Sequence, residues 1–346
     1  MRESLIGDMF CIDYFTPELL AKWAPNPFCR TKCGTEDFIL LFASPNSGVM
    51  EIKMEEYSVR TDLACESEAR HDSGKNGTDF SEETVGDFTV SRLTVKTKEG
   101  EIAAGKKIGE YVTISSELLC DIDSSTLASL AELITSEMEK IMWKLLKKRP
   151  SCVLVAGLGN REITADNIGP KTVDRLTVTR HLLFHNKKLF DSYWHSPLCA
   201  IAPGVLGQTG IETREIISGI CESAKPDVII AIDALAARST KRLGRTVQIS
   251  DSGIFPGSGI GNRRGEISRD TLGIPVIALG VPTVVNSSTL VYDALKSAGY
   301  QKFDKSLIQV LKSGESFFVS PKQSDRISES SADLLSSAIN NLFIKQ

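Results

Sequence analysis

The chain has 346 residues, 41% of them hydrophobic and 24% charged, and a formal net charge of −4. That length and balance suit one large α/β domain or two ordinary ones around a buried core. They speak against a nucleic-acid binder, which carries a basic stripe: the basic clusters here, Lys147-Lys148-Arg149 and Arg263-Arg264, read as a helix end and a solvated loop.

No apolar run approaches the roughly 18 residues that span a membrane, and the N-terminus lacks the basic-then-apolar pattern of a secretory signal. The eight cysteines include no C-x-x-C pair, and Cys29 and Cys33 have no second half for a zinc site. Several lie in apolar runs, where a thiol behaves as a small hydrophobe, and a reducing compartment is the simplest inference.

In chain order, residues 1–53 have poor periodicity and read as an appendage, with Met50 and Met54 as alternative starts. Residues 55–70 are polar and extended, and 67–83 read as a loop. The stretch 87–116 alternates, with a turn signal at Lys98-Glu99-Gly100, and predicts antiparallel strands. Residues 124–149 predict a helix: Leu127, Leu130, Leu133, Ile134, Met138, Ile141, Met142, Leu145 and Leu146 recur at three- and four-residue spacing. Ser124 or Ser125 caps its start and Pro150 stops it. The runs "CVLVAGLG", "LCAIAPG", "DVIIAID", "TVQIS" and "PVIALGVP" predict strands, and "SSTLVYDALKSAG" and "SSADLLSSAINNLF" predict helices. The pattern is that of an α/β fold: a mostly parallel sheet, helices on both faces, antiparallel strands at the edge.

In such sheets reactive groups gather outside the carboxyl ends of the strands. The rule selects "GLGNREITADNIGP", "AIDALAAR", "SDSGIFPGSGIGNRRGE" and "GVPTVVNSST". Gly157-x-Gly159 lacks the third glycine of a dinucleotide site, and "GSGIG" lacks the ending of a phosphate loop. Two acids remain. Asp166 and Asp233 can each cap a following helix, or can face one cleft as a pair in which one carboxyl keeps a proton. The second reading supplies a general base and a general acid, as in aspartic proteases. Of the four histidines none lies in H-E-x-x-H, and no G-x-S-x-G elbow exists. His181 and His185 are spaced for a metal, but no acid motif accompanies them, and no metal site is assigned.

In seven sequence blocks the chain resembles the germination protease family of spore-forming bacteria. The blocks are "YSVRTDLACE", "GLGNREITADNIGP", "IAPGVLGQTGIET", "PDVIIAIDALAAR", "QISDSGIFPGSGIGNRRGEIS", "TLGIPVIALGVPTVV" and "FFVSPKQSDRI". They run from about residue 55 to the C-terminus and leave 1–53 uncovered.

The resemblance implies a fold similar to hydrogenase-maturation proteases and a catalytic pair at Asp166 and Asp233. It implies a homotetramer of the spore interior, no cofactor, and small acid-soluble spore proteins as substrates. It also implies a zymogen that removes its own leader. Ala165 stands where the family more often has proline, and Asn167-Ile168 where it has alanine-leucine; neither displaces the aspartate. The family's substrates are cut after the first acid of Thr-Glu-Phe/Ile-Ala-x-Glu, and Thr61-Asp62-Leu63-Ala64-Cys65-Glu66 has the same physical pattern. A cut between Asp62 and Leu63 is expected, dividing the chain into an appendage (1–53), a propeptide (54–62) and a protease domain (63–346). Gly157, Gly159, Asn160, Gly257, Ser258, Gly259, Arg263, Pro282 and Thr283 are expected to bind substrate or line the cleft, with "GSGIGNRRGE" and "GVPTVV" offering backbone N–H groups. The alternatives are a metal-assisted protease of the maturation type and a non-catalytic protein that grips nucleotide or phosphate.

Overall fold

The computed structural model describes residues 61–67, 74, 76–257, 265–300, 303–314 and 317–345. The appendage predicted at 1–53 and residues 54–60 of the predicted propeptide lie outside them. The strands are β1 (Thr78–Val85), β2 (Phe88–Val95), β3 (Gly109–Ser115), β4 (Val153–Gly157), β5 (Leu198–Ile201), β6 (Val228–Ala237), β7 (Thr246–Ser250), β8 (Val276–Asn286) and β9 (Phe318–Val319). They form one nine-stranded sheet in the order β1-β2-β3-β7-β8-β6-β4-β5, with β9 added on β8.

β5, β4, β6 and β8 are parallel, while β7, β3, β2 and β1 continue the sheet antiparallel. Of the parallel strands, β4, β6 and β8 are buried on both faces, which is why they read as nearly unbroken apolar stretches, while the edge strand β5 is half-buried over Cys199–Ile201. The antiparallel portion is as large as the parallel one, because 78–95 form a hairpin. β1 is exposed along most of its length, so its sequence, predicted as loop, lacks an apolar signature.

One face of the sheet is sealed by the helices Ser124–Leu146 and Ser324–Phe343. Leu130, Ile134 and Met138 of the first and Leu334, Leu335 and Ile339 of the second share a core with Val155, Ile230, Ile277 and Val247. On the other face Ile217 and Cys221, from the helix Thr213–Ala224, pack with Leu154, Ala156, Ile229 and Ala231. The first helix is capped by Asp123, not by Ser124 or Ser125. Its carboxylate accepts the N–H groups of Ser125 at 2.8 Å and Thr126 at 3.0 Å, the acceptor a helix N-terminus favours. Lys98-Glu99-Gly100 opens a helix, Lys98–Ala104, where a turn was expected. Thr97 caps its start, taking the Gly100 N–H, and Gly105 at φ +62° closes it.

The end of β4 is locked onto the following helix, Ile168–Asp174, by two glycines. A methyl group on Gly169 would stand 2.3 Å from the Leu158 carbonyl oxygen and 2.7 Å from that of Ile232. One on Gly157 would stand 2.2 Å from the Gly169 carbonyl oxygen. These neighbours are backbone and cannot swing aside. Gly169→Ala is therefore expected to destabilise the fold by about 1–3 kcal/mol or more, read as a lower urea midpoint. An unchanged midpoint would contradict this packing.

Candidate active site

The site exists because neighbouring strands end at different heights. β4 stops at Gly157, paired with Ile232, while β6 runs on to Ala237 and β8 to Asn286. The first β6 residue beyond that stop is Asp233. The continuation "ALAAR", read from sequence as a loop or a helix, is strand through Ala237, so Asp233 caps no helix. It is 5% exposed, and its Oδ1 accepts the N–H of Ala234 at 2.9 Å. Burial pushes its pKa well above the ordinary carboxyl range. The charge of Asp166 adds to this, the Ala234 N–H opposes it, and Asp62 contributes further upward pressure.

Asp166 sits in a 3-10 turn, Thr164–Asp166, between β4 and the helix that begins at Ile168; Asn167, not Asp166, holds that helix's cap position. Its Oδ2 accepts the backbone N–H of Asn160 at 2.8 Å. Gly159, at φ +107°, lets the loop fold this closely: a Cβ there would stand 2.0 Å from the Asp166 carbonyl oxygen. Burial raises the Asp166 carboxyl, and the Asn160 hydrogen bond offsets part of the rise.

A bulge fixes this turn against the sheet. Leu235 pairs with Pro282 and Ala236 with Val284, so Thr283 is the extra residue. Its hydroxyl donates to the Ala165 carbonyl at 2.6 Å, tying the residue before Asp166 to β8. From the other side Thr164 donates to Asp325 at 3.0 Å, and Ser328 donates to the Asn167 side chain, both from the helix Ser324–Phe343.

The segment predicted to be cut lies along the β6 extension that carries Asp233. The Asp62 N–H donates to the Ala236 carbonyl, and the Ala236 N–H donates to Asp62 Oδ2, each at 2.8 Å. Leu63 is fully buried with Leu235, Ala237, Leu243 and Val285, and Ala64 packs with Leu93, Val95, Ala104 and Tyr111. Burying a leucine side chain contributes on the order of 1.5–3 kcal/mol. Glu66 accepts the N–H groups of Arg238 at 2.7 Å and Ser239 at 3.0 Å. Lys106 donates to the Thr61 carbonyl at 2.9 Å; burial lowers its pKa, and Asp62 and Glu66 hold it up.

Of the other residues expected at the cleft, Gly157 serves the strand-to-helix packing and Pro282 accepts the Gly244 N–H at 2.9 Å. Gly257 has φ +71°, while Ser258, Gly259 and Arg263 lie outside the described residues. The sequence reading missed Gln248 and Lys106, both in contact with the docked segment. Gln248 had one signal: a polar residue between Val247 and Ile249 in a period-two run faces away from the core those two enter. Among the described residues no group of three or more His, Cys, Asp or Glu is gathered that could hold a metal.

Comparison with known proteins bears on what this geometry serves. The sequence model described as germination protease matches residues 54–304. Relatives named germination protease include that of Clostridium acetobutylicum, 39% identical over 311 residues, covering 82% of this chain and 94% of the relative. Those of Oceanobacillus iheyensis, at 44% identity, and Priestia megaterium, at 43%, each match over 255 residues and 71% of this chain, and over 69% and 68% of their own lengths. Among solved structures, the [NiFe] hydrogenase maturation protease HycI from Thermococcus kodakarensis aligns over 57% of this chain and 98% of its own, with TM-score 0.30 and 16% identity. That likeness is weak, and the α/β assignment rests on the strand order itself. The family match spans both carboxylates and the docked segment: the chain belongs to the germination protease family.

Proposed function

We propose that the chain is an endopeptidase that starts the breakdown of small acid-soluble spore proteins during germination, and that it matures by cutting itself between Asp62 and Leu63. In this reading residues 54–62 are a propeptide, 63–346 the protease domain and 1–53 an appendage. The working enzyme is a homotetramer of the spore core. The observation that carries the reading is the seating of Thr61–Ser67: the Asp62–Leu63 bond is anchored on the β6 extension three residues from Asp233, and the Asp62 charge reaches that carboxyl.

The mechanism follows from the two environments. Burial raises both carboxyls, and the charge of Asp166 raises Asp233 further, so the pair holds one proton between them. The proton resides on Asp233, the more buried group, with one N–H to stabilise its anion, while Asp166 is half-buried and anchored by Asn160. Asp166 takes a proton from water as the oxygen adds to the Asp62 carbonyl carbon, and Asp233 gives its proton to the carbonyl oxygen. Collapse breaks the C–N bond. Asp166 passes its proton to the Leu63 nitrogen, and Asp233 recovers one from the diol. Water is the only co-reactant and both acid–base groups are side chains, so the step calls for no cofactor.

Two results are expected. Asp166→Asn and Asp233→Asn should each lower self-cleavage and cleavage of a small acid-soluble spore protein by about 10²–10⁴-fold, with little loss of melting temperature. Wild-type cutting by either folded variant contradicts the paired-acid mechanism.

The second result concerns stability. Folded Asp233 binds its proton more tightly than unfolded aspartate does. Its contribution to stability is fully present below the ordinary value of about 3.9 and is lost as pH rises through the raised folded value. Asp233→Asn should therefore melt higher than wild type near neutral pH, with the gap narrowing toward pH ~4. A gap that does not change with pH would contradict the buried, proton-holding role.

A further inference from the structure

We propose that Gln248 is a catalytic residue, clamping the peptide bond to be cut from both sides with one side-chain amide. The inference rests on the reading that Asp62–Leu63 is the bond hydrolysed. Gln248 Nε2 donates to the carbonyl oxygen of Asp62 at 3.0 Å, and its Oε1 accepts the N–H of Ala64 at 2.6 Å. The first partner is an acceptor and the second a donor, so only one orientation of the amide satisfies both. The carbonyl it touches is the one that water attacks.

The sheet explains how Gln248 reaches that position. Gly280 on β8 is the direct strand partner of Asp233 on one side and of Gln248 on the other. Gln248, Gly280 and Asp233 thus form one row across three adjacent strands, and paired residues project to the same face. Gly280, in the centre of the row, has no side chain. A Cβ there would press on Leu235, at 2.6 Å from Cγ, the residue that helps bury Leu63. The row is therefore a trough with an amide at one wall and a carboxyl at the other. Gln248 is 8% exposed and spends its donor and acceptor on the segment being cut.

The chemical role follows from the carbonyl oxygen's two lone pairs. As water adds and the oxygen gains negative charge, Gln248 Nε2–H serves one lone pair and the proton from Asp233 the other. The Oε1 contact to Ala64 N–H, on the far side of the bond, holds the peptide in register while the C–N bond breaks. Gln248 neither gains nor loses a proton, so the balance is that of hydrolysis: peptide plus water gives the Asp62 carboxyl and the Leu63 amine. A preorganised donor aimed at developing charge in a water-poor site is where such a group has its largest effect.

The test is the first-order rate at which the full chain releases its leader, followed by mass spectrometry in wild type, Gln248→Met and Gln248→Glu, with melting temperature measured on each. Gln248→Met removes both hydrogen bonds and should slow the cut by about 10²–10³-fold. Gln248→Glu keeps the shape and the acceptor for Ala64 but lacks the donor. It should be slowed similarly at neutral pH, then recover relative to wild type as acid protonates the introduced carboxyl and restores a donor. A purely structural role would not produce that pH-dependent rescue, and Gln248→Glu reports even if Gln248→Met fails to fold. Either folded variant cutting between Asp62 and Leu63 within twofold of wild type, or a Gln248→Glu deficit that acid does not relieve, overturns the proposal. A wild-type chain that cuts elsewhere or not at all overturns the underlying reading instead, so the two failures are distinguishable.

Discussion

A carboxyl group held in the middle of a sheet, almost out of contact with water, is the constraint on which the rest of the site depends. Asp233 is 5% exposed and has one intramolecular N–H donor to its carboxylate. Ionising it alone there would be costly, so it retains a proton above the usual range, and the nearby charge of Asp166 strengthens that tendency. Each neighbouring feature serves this arrangement. β4 stops at Gly157 and opens the crevice, the glycine pair Gly157 and Gly169 brings the next helix close enough to present Asp166, and the bulge at Thr283 ties the Asp166 turn to β8.

The segment Thr61–Ser67 is held by the same extension of β6 that carries Asp233. Its contacts fall into two kinds. Backbone and carboxylate hydrogen bonds to Ala236, Arg238 and Ser239 fix its direction, and the burial of Leu63 and Ala64 fixes its register. A peptide with a larger residue at position 64 would meet Leu93, Val95 and Tyr111, and one lacking the acid at 66 would leave two backbone N–H groups without that acceptor. The acid–apolar–small–x–acid pattern seen in the sequence thus corresponds, position by position, to a physical complement in the fold.

What could be read beforehand follows how each residue earns its place. The strands β4, β6 and β8 were legible as apolar runs rich in β-branched residues, and the helix Ser124–Leu146 as a repeating apolar stripe, because burial wrote both patterns. β1 was not legible, since an exposed hairpin strand has no apolar face to display. Lys98-Glu99-Gly100 reads as a turn because of its glycine, which in the fold sits inside the helix Lys98–Ala104; the cap by Thr97 depends on a conformation the sequence only permits. The rule that reactive groups lie at strand ends points to Asp166 and Asp233, although β6 itself continues for four more residues. It is β4 that ends, and relative strand lengths are a tertiary property. Gln248 and Lys106 act through partners 45 and more residues away in sequence, a relation no local pattern encodes.

The central claim is that the bond held by Gln248, Asp62–Leu63, is the one the protein hydrolyses. Sequencing the N-terminus of the chain after incubation, in protein prepared full length, addresses it most directly. Leu63 as the new first residue is the expected result. A stable new end at any other residue, with the Asp62–Leu63 bond intact, would contradict it.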